Sequence, residues 1–131
     1  MDTQRGTAPA AAAAGHFRSH LVYELAAEEL AGILSAAPDE VCLIDVRDAG
    51  AYAAGHIPTA LSVPLESLEA EAASLPRDRT IVVYCGDGEC GQSLRAALEL
   101  ARSGFRVRRL VGGLAEWGRT ERPLTRLSQA W

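Results

Sequence analysis

From residue 21 onward, the chain alternates between strand-like and helix-like patterns of apolar positions. Residues 41–46 form a nearly continuous apolar run. Its shortness and β-branched content predict a strand buried on both faces. Residues 80–84, Thr-Ile-Val-Val-Tyr, carry the clearest strand pattern. Shorter strand patterns lie at 21–23, at 60–63 before Pro64, and at 107–111 before Gly112 and Gly113. Helical spacing fills the gaps. Residues 26–35 align Leu30, Ile33 and Leu34, with Pro38 beyond their end, and residues 48–54 form a short helix ended by Gly55. Residues 65–75 repeat Leu65, Leu68, Ala72 and Leu75 as a one-sided helix. Residues 92–102 place Leu94, Ala97, Leu98 and Ala101 on one side, with Gly104 as the C′ residue, and residues 114–117 make a short helix or turn. Such alternation predicts an α/β domain with parallel strands joined by right-handed crossovers. Ligands in such sheets gather at the carboxyl ends of the strands. Cys85, directly after residues 80–84, falls at that end.

Length and composition fit one domain: 131 residues, 48% hydrophobic and 23% charged. Residues 1–19 are rich in Ala, Gly, Thr and Pro with almost no large apolar side chains, so a flexible tail is expected there. The domain is expected over residues 20–125, with a short tail at 126–131. A net charge of -4 argues against nucleic acid or an anionic membrane as partner. No apolar run approaches the ~20 residues that span a bilayer. The start, Met-Asp-Thr-Gln-Arg followed by alanines, lacks the apolar core of a secretory signal, so a cytoplasmic location is expected. Three cysteines, Cys42, Cys85 and Cys90, are too few and too odd for a disulfide framework. The Cys-x4-Cys spacing is not a zinc signature, because no second ligand pair follows at suitable spacing, so a metal site is not expected.

The chemistry concentrates in residues 85–91: Cys85, Gly86, Asp87, Gly88, Glu89, Cys90 and Gly91. Three glycines in seven residues let the backbone turn tightly, so that its N–H groups can converge as an anion nest. The helix that follows adds the positive end of its dipole. A thiol so placed ionises easily and becomes a nucleophile, and the loop amides of Gly86 to Gly91 would hold a charged adduct on it. The competing reading makes Cys85 a small buried hydrophobe in an ordinary strand-to-helix turn. An inward-facing Cys85 sealed among aliphatic side chains would defeat the catalytic reading.

A set of ordered segments then narrows the choice. Leu43-Ile44-Asp45-Val46-Arg47, the segment Ala51-Tyr52-Ala53-Ala54-Gly55-His56-Ile57-Pro58-Thr59-Ala60, the strand leading into Cys85, Gly104-Phe105, and Gly112-Gly113 with Trp117 together resemble the rhodanese family. The resemblance covers residues 21–123. It implies a central five-stranded parallel sheet with helices on both faces. It also implies sulfurtransferase activity: Cys85 takes a sulfane sulfur from a small-molecule donor such as thiosulfate or a persulfide. Cyanide, an acceptor thiol or a protein sulfur acceptor then removes it, without a cofactor.

Several features depart from that pattern or allow other roles. The loop contains Asp87 and Glu89 and no Lys or Arg, which disfavours a dianion such as thiosulfate and suits a neutral or cationic persulfide donor. Arg95 is the nearest cation along the chain, and Arg119 or Arg122 could return positive charge from elsewhere. Cys90 is a candidate resolving thiol for Cys85, or else a rim residue out of its reach. Asp45 and Arg47 are read as structural, a buried pair anchoring the loops near the site. His56 is read as bonding the turn before Pro58, Cys42 as an inert core residue, and Trp117 as packing. Two other functions stay open. One is a phosphatase or arsenate reductase on the same scaffold, although Gly91 and Gln92 stand where its arginine would be. The other is a non-catalytic redox or sulfide-sensing interaction module that uses Cys85 and Cys90.

Overall fold

The computed structural model describes residues 24–86 and 91–127. Five strands, β1 Glu24–Leu25, β2 Val41–Asp45, β3 Leu61–Ser62, β4 Thr80–Tyr84 and β5 Val107–Leu110, form one parallel sheet in the order β1-β5-β4-β2-β3. Five helices accompany it: α1 Ala27–Ala36, α2 Ala49–Ala54, α3 Leu68–Glu71, α4 Gln92–Arg102 and α5 Gly113–Gly118. This is the α/β architecture expected from the alternating pattern.

Strand alternation sorts the core into two layers. Cys42, Ile44, Val46, Ile81, Val83 and Cys85 share one layer with Leu68, Leu75, Ala96, Leu100 and Phe105. Val41, Leu43, Val82 and Tyr84 share the other with Leu25, Leu30, Ile57, Leu110 and Trp117. Both faces of β2 and β4 are therefore covered, which is why their sequences read as unbroken apolar runs.

Three local expectations change, and a fourth falls outside the described residues. Residues 21–23 lie outside the described residues, and the first described strand is Glu24–Leu25. Of residues 60–63, Leu61 and Ser62 form an exposed edge strand beside β2, and Val63 N adds a bond to the Asp45 carbonyl at 3.0 Å. The stretch 65–75 is not one helix: 3₁₀ turns at Leu65–Ser67 and Ala72–Ser74 flank α3. A segment this short cannot hold a helix by propensity alone, so its backbone follows Leu68 and Leu75 into the core. Helix α4 is rotated from the expected face: it buries Ser93, Ala96 and Leu100, while Leu94 and Leu98 stay half-buried. Small residues at 93 and 96 let the helix sit close to the sheet.

A polar clamp ties the carboxyl ends of the two central strands together. Asp45 and Tyr84 are register neighbours on β2 and β4. The Asp45 carboxylate has no solvent exposure. It accepts hydrogen bonds from Arg47 N at 2.9 Å, Nε at 3.0 Å and Nη2 at 2.7 Å. Arg47 Nη2 also donates to the Gly55 carbonyl at 2.7 Å, and Ile57 N donates to the Tyr84 hydroxyl at 3.0 Å. The hydrogen bond with Asp45 raises the Arg47 pKa above its ordinary value. Burial, and then the Asp45 charge, push the Tyr84 phenol far above its ordinary range, so it stays neutral. Removing one partner of such a pair strands a buried charge.

A second tether fixes the start of the loop that carries Cys85. Leu114 N donates to the Cys85 carbonyl and Ala115 N to the Gly86 carbonyl, both at 2.9 Å. These are N–H groups of the first turn of α5, which have no partner within their own helix. Gly112 enters that helix at φ 77°, and a Cβ there would lie 2.5 Å from Glu116 Cβ.

Arg47→Ala is expected to lower unfolding free energy by about 3–5 kcal/mol, read from the urea midpoint at constant slope. A loss near the ~0–1 kcal/mol of a surface pair would show that Asp45 is hydrated. Gly112→Ala is expected to cost at least the ~1–3 kcal/mol of a strained backbone position and to lower the melting temperature. An unchanged melting temperature would contradict the contact with Glu116.

Candidate active site

Cys85 follows β4 at the carboxyl end of the sheet and lines a cavity of about 360 Å³. Val46 and Arg47, just past β2, line the same cavity. Asp48 and Ala51 come from the start of α2, Glu66 from the 3₁₀ turn before α3, and Gln92 from the first turn of α4. Asp48 is the N-cap of α2, its Oδ1 accepting from Ala51 N at 2.8 Å. Gly86 faces Arg47: a Cβ at that glycine would stand 4.0 Å from Arg47 Cδ.

The sulfur of Cys85 lies 3.8 Å from Gln92 Oε1. Cys85 is disulfide-bonded and 1% exposed, in the same apolar cluster as Val46, Val83 and Ala96. Cys85 is thus buried on its aliphatic side, as the competing reading expects, but it also lines the cavity and so is not sealed from it. A disulfide sulfur carries no charge, so aliphatic surroundings cost it little, whereas they would disfavour a thiolate. Asp87, Gly88, Glu89 and Cys90 lie outside the described residues.

Other candidates fall away from the cavity. His56 is buried; its ring stacks on Tyr52 at 3.6 Å and its Nδ1 lies 2.7 Å from the Tyr52 carbonyl. Only a protonated Nδ1 can donate to that carbonyl. Its backbone exchanges hydrogen bonds with Thr125, pinning the last described segment to the turn before Pro58. Arg119 pairs with Glu116 and Arg122 with Glu28, and Arg95 is exposed on α4; none of the three lines the cavity. Cys42 is a free thiol in the core, and burial raises its pKa. Trp117 is buried in the layer opposite Cys85. Among the described residues no three His, Cys, Asp or Glu side chains come together as a metal-binding group. No helix among them is long and apolar enough to cross a membrane.

Sequence reasoning passed over Glu66, Asp48 and Ala51 as wall residues and Tyr84 as part of the clamp. Glu66 reaches the cavity only because β3 pairs beside β2 and Leu65 N bonds the Val46 carbonyl at 3.2 Å. No spacing along the chain signals that. Tyr84 carried a signal, a polar-tipped residue ending an otherwise aliphatic strand.

The rhodanese-like domain family model matches residues 26–120. A protein of Allochromatium vinosum named sulfurtransferase is 34% identical over 105 residues, covering 79% of this chain and 95% of that protein. The HTH-type transcriptional regulator Rv0324 of Mycobacterium tuberculosis is 41% identical over 78 residues, 60% of this chain; the match spans 34% of the regulator's length. The solution structure of the rhodanese-like domain of Anabaena Alr3790 superposes with a TM-score of 0.72 at 31% identity, covering 82% of each chain. With the ordered segments, the sheet order and the cysteine at the end of β4, these matches mean that the chain belongs to the rhodanese-like domain family.

Proposed function

We propose that the domain is a rhodanese-type sulfurtransferase that carries sulfane sulfur as a persulfide on Cys85. The observation that carries this reading is the placement of Cys85 at the carboxyl end of β4, beside a cavity of about 360 Å³. The similarity to a protein named sulfurtransferase supports it.

Where Cys85 is oxidised, a dithiol first returns it to the thiol and is itself oxidised to a disulfide. The Cys85 thiolate then attacks the outer sulfur of the donor. With thiosulfate, the S–S bond breaks and sulfite leaves with the electron pair, leaving the Cys85 persulfide. With an alkyl persulfide, the alkyl thiolate leaves and takes up the proton that the new Cys85 persulfide releases. Cyanide or an acceptor thiol, on a small molecule or a protein, attacks the outer sulfur in turn and regenerates the Cys85 thiolate. The loop amides from Gly86 to Gly91 are assigned the negative charge of the persulfide.

The disulfide favours a second reading, in which Cys85 and Cys90 form a redox- or sulfide-sensing pair and Cys90 is the resolving thiol. In the reducing compartment expected for this chain, such a bond is transient rather than a structural staple. The match to part of a transcriptional regulator is consistent with a sensing role.

After reduction and removal of the dithiol, incubation with thiosulfate or an alkyl persulfide is expected to add the mass of one sulfur to Cys85. Cys85→Ser is expected to abolish cyanide-dependent thiocyanate formation; full turnover in that variant would end the mechanism. Cys90→Ser is expected to keep sulfur loading while losing the reversible protection of Cys85 against alkylation after mild oxidation. Reversible oxidation of the parent protein with no sulfur transfer from any donor would decide for the sensing module.

A further inference from the structure

The described walls of the cavity beside Cys85 carry more acidic than basic side chains. Its one wall cation among the described residues is Arg47. Arg47 directs Nε and Nη2 at the fully buried Asp45 carboxylate and gives Nη2 also to the Gly55 carbonyl. Its charge is therefore neutralised from behind the wall. Two carboxylates, Asp48 and Glu66, remain on the rim, both exposed. Among the described residues neither has an ion-pair partner. Gln92, opposite, is uncharged. Asp48 is occupied as the cap of α2, whereas Glu66 lies on a 3₁₀ turn and makes no hydrogen bond among the described residues.

We propose that Glu66, supported by Asp48, is a specificity-determining residue that favours a persulfide donor bearing a protonated amine over dianionic thiosulfate. The proposal rests on the sulfurtransferase reading of Cys85. A donor must bring its outer sulfur to Cys85 while the rest of the molecule occupies the cavity between α2 and the turn at Glu66. An ammonium group two or three bonds from the leaving sulfur meets the carboxylate rim, whereas the sulfonate oxygens of thiosulfate meet it with like charge. Both charges are exposed, so the effect is modest and screened by salt. The step itself is the transfer described above: the donor S–S bond breaks, the Cys85 S–S bond forms, and the amine-bearing thiol leaves protonated.

The test is single-turnover sulfur loading of the reduced full chain at low ionic strength, scored by intact mass. Three donors are compared: thiosulfate, cysteamine persulfide and 3-mercaptopropionate persulfide. Glu66→Gln is expected to raise the apparent second-order loading rate from thiosulfate about threefold and to lower that from cysteamine persulfide by a similar factor. Glu66→Lys is expected to move both further in the same directions. The 3-mercaptopropionate persulfide should follow thiosulfate, and Glu66→Asp should retain the parent preference. Salt near 0.5 M should remove most of the difference. Glu69→Gln makes the same charge change on exposed α3 away from the cavity and should leave the donor ratio unchanged. Loading from the donors with a ratio indifferent to Glu66→Gln and Glu66→Lys overturns the specificity proposal and leaves the sulfurtransferase reading standing. Loading from none of them on the reduced parent protein overturns both.

Discussion

At the carboxyl ends of β2 and β4, a carboxylate with no solvent exposure is held by the guanidinium two residues further along the chain. A buried carboxylate on its own would be costly, and the Arg47 fork satisfies it through parallel N–H donors in the geometry that suits a carboxylate best. The same guanidinium reaches the Gly55 carbonyl, and the phenol of Tyr84 receives the Ile57 amide. Three segments distant in sequence are thereby fastened within one small volume. Cys85 is the next residue after Tyr84, so the backbone that presents the sulfur inherits its position from this clamp. The clamp also spends the positive charge of Arg47, which leaves the cavity rim acidic.

The chemistry proposed for Cys85 turns on the charge of its sulfur. In the oxidised state described here the sulfur is neutral and lies within an aliphatic cluster. Reduction would create a thiol whose ionised form needs hydrogen-bond donors or a dipole. A family member that cycles through a persulfide needs those groups arranged around one atom. Helix α4 begins at Gln92 and presents its amino end to this region, while α5 secures the Cys85 and Gly86 carbonyls from the other side. Sulfur transfer and redox sensing therefore draw on the same arrangement and differ in which second sulfur meets Cys85.

Much of the scaffold is legible in the sequence. The run at 41–46 read as a strand covered on both sides, because it is short, rich in β-branched residues and does not alternate with polar ones, and 80–84 read as the clearest strand. The family segments added the five-stranded parallel sheet with helices on both faces and the expectation for Cys85. Edges and surface pieces were less legible. The stretch 65–75 carried a convincing helical repeat and folded as three short pieces, since two leucines reaching the core outweighed local propensity. On α4 the apolar repeat pointed to Leu94 and Leu98, but the packing chose Ser93 and Ala96, whose small side chains permit close approach to β4.

The sequence by itself determined the alternation of strands and helices, the placement of Cys85 directly after the strand at 80–84, and the identity of Asp45 and Arg47 as candidates for a pair. Those features follow from local periodicity and from neighbours one or two residues apart. Only the tertiary structure decided that Tyr84 and Ile57 complete the clamp, that Glu66 stands on the cavity wall, and that Arg95, Arg119 and Arg122 do not. Each of those outcomes depends on parallel strands bringing together residues separated by tens of positions. A linear pattern records which side chains prefer burial; it does not record which charges will face one another across a sheet.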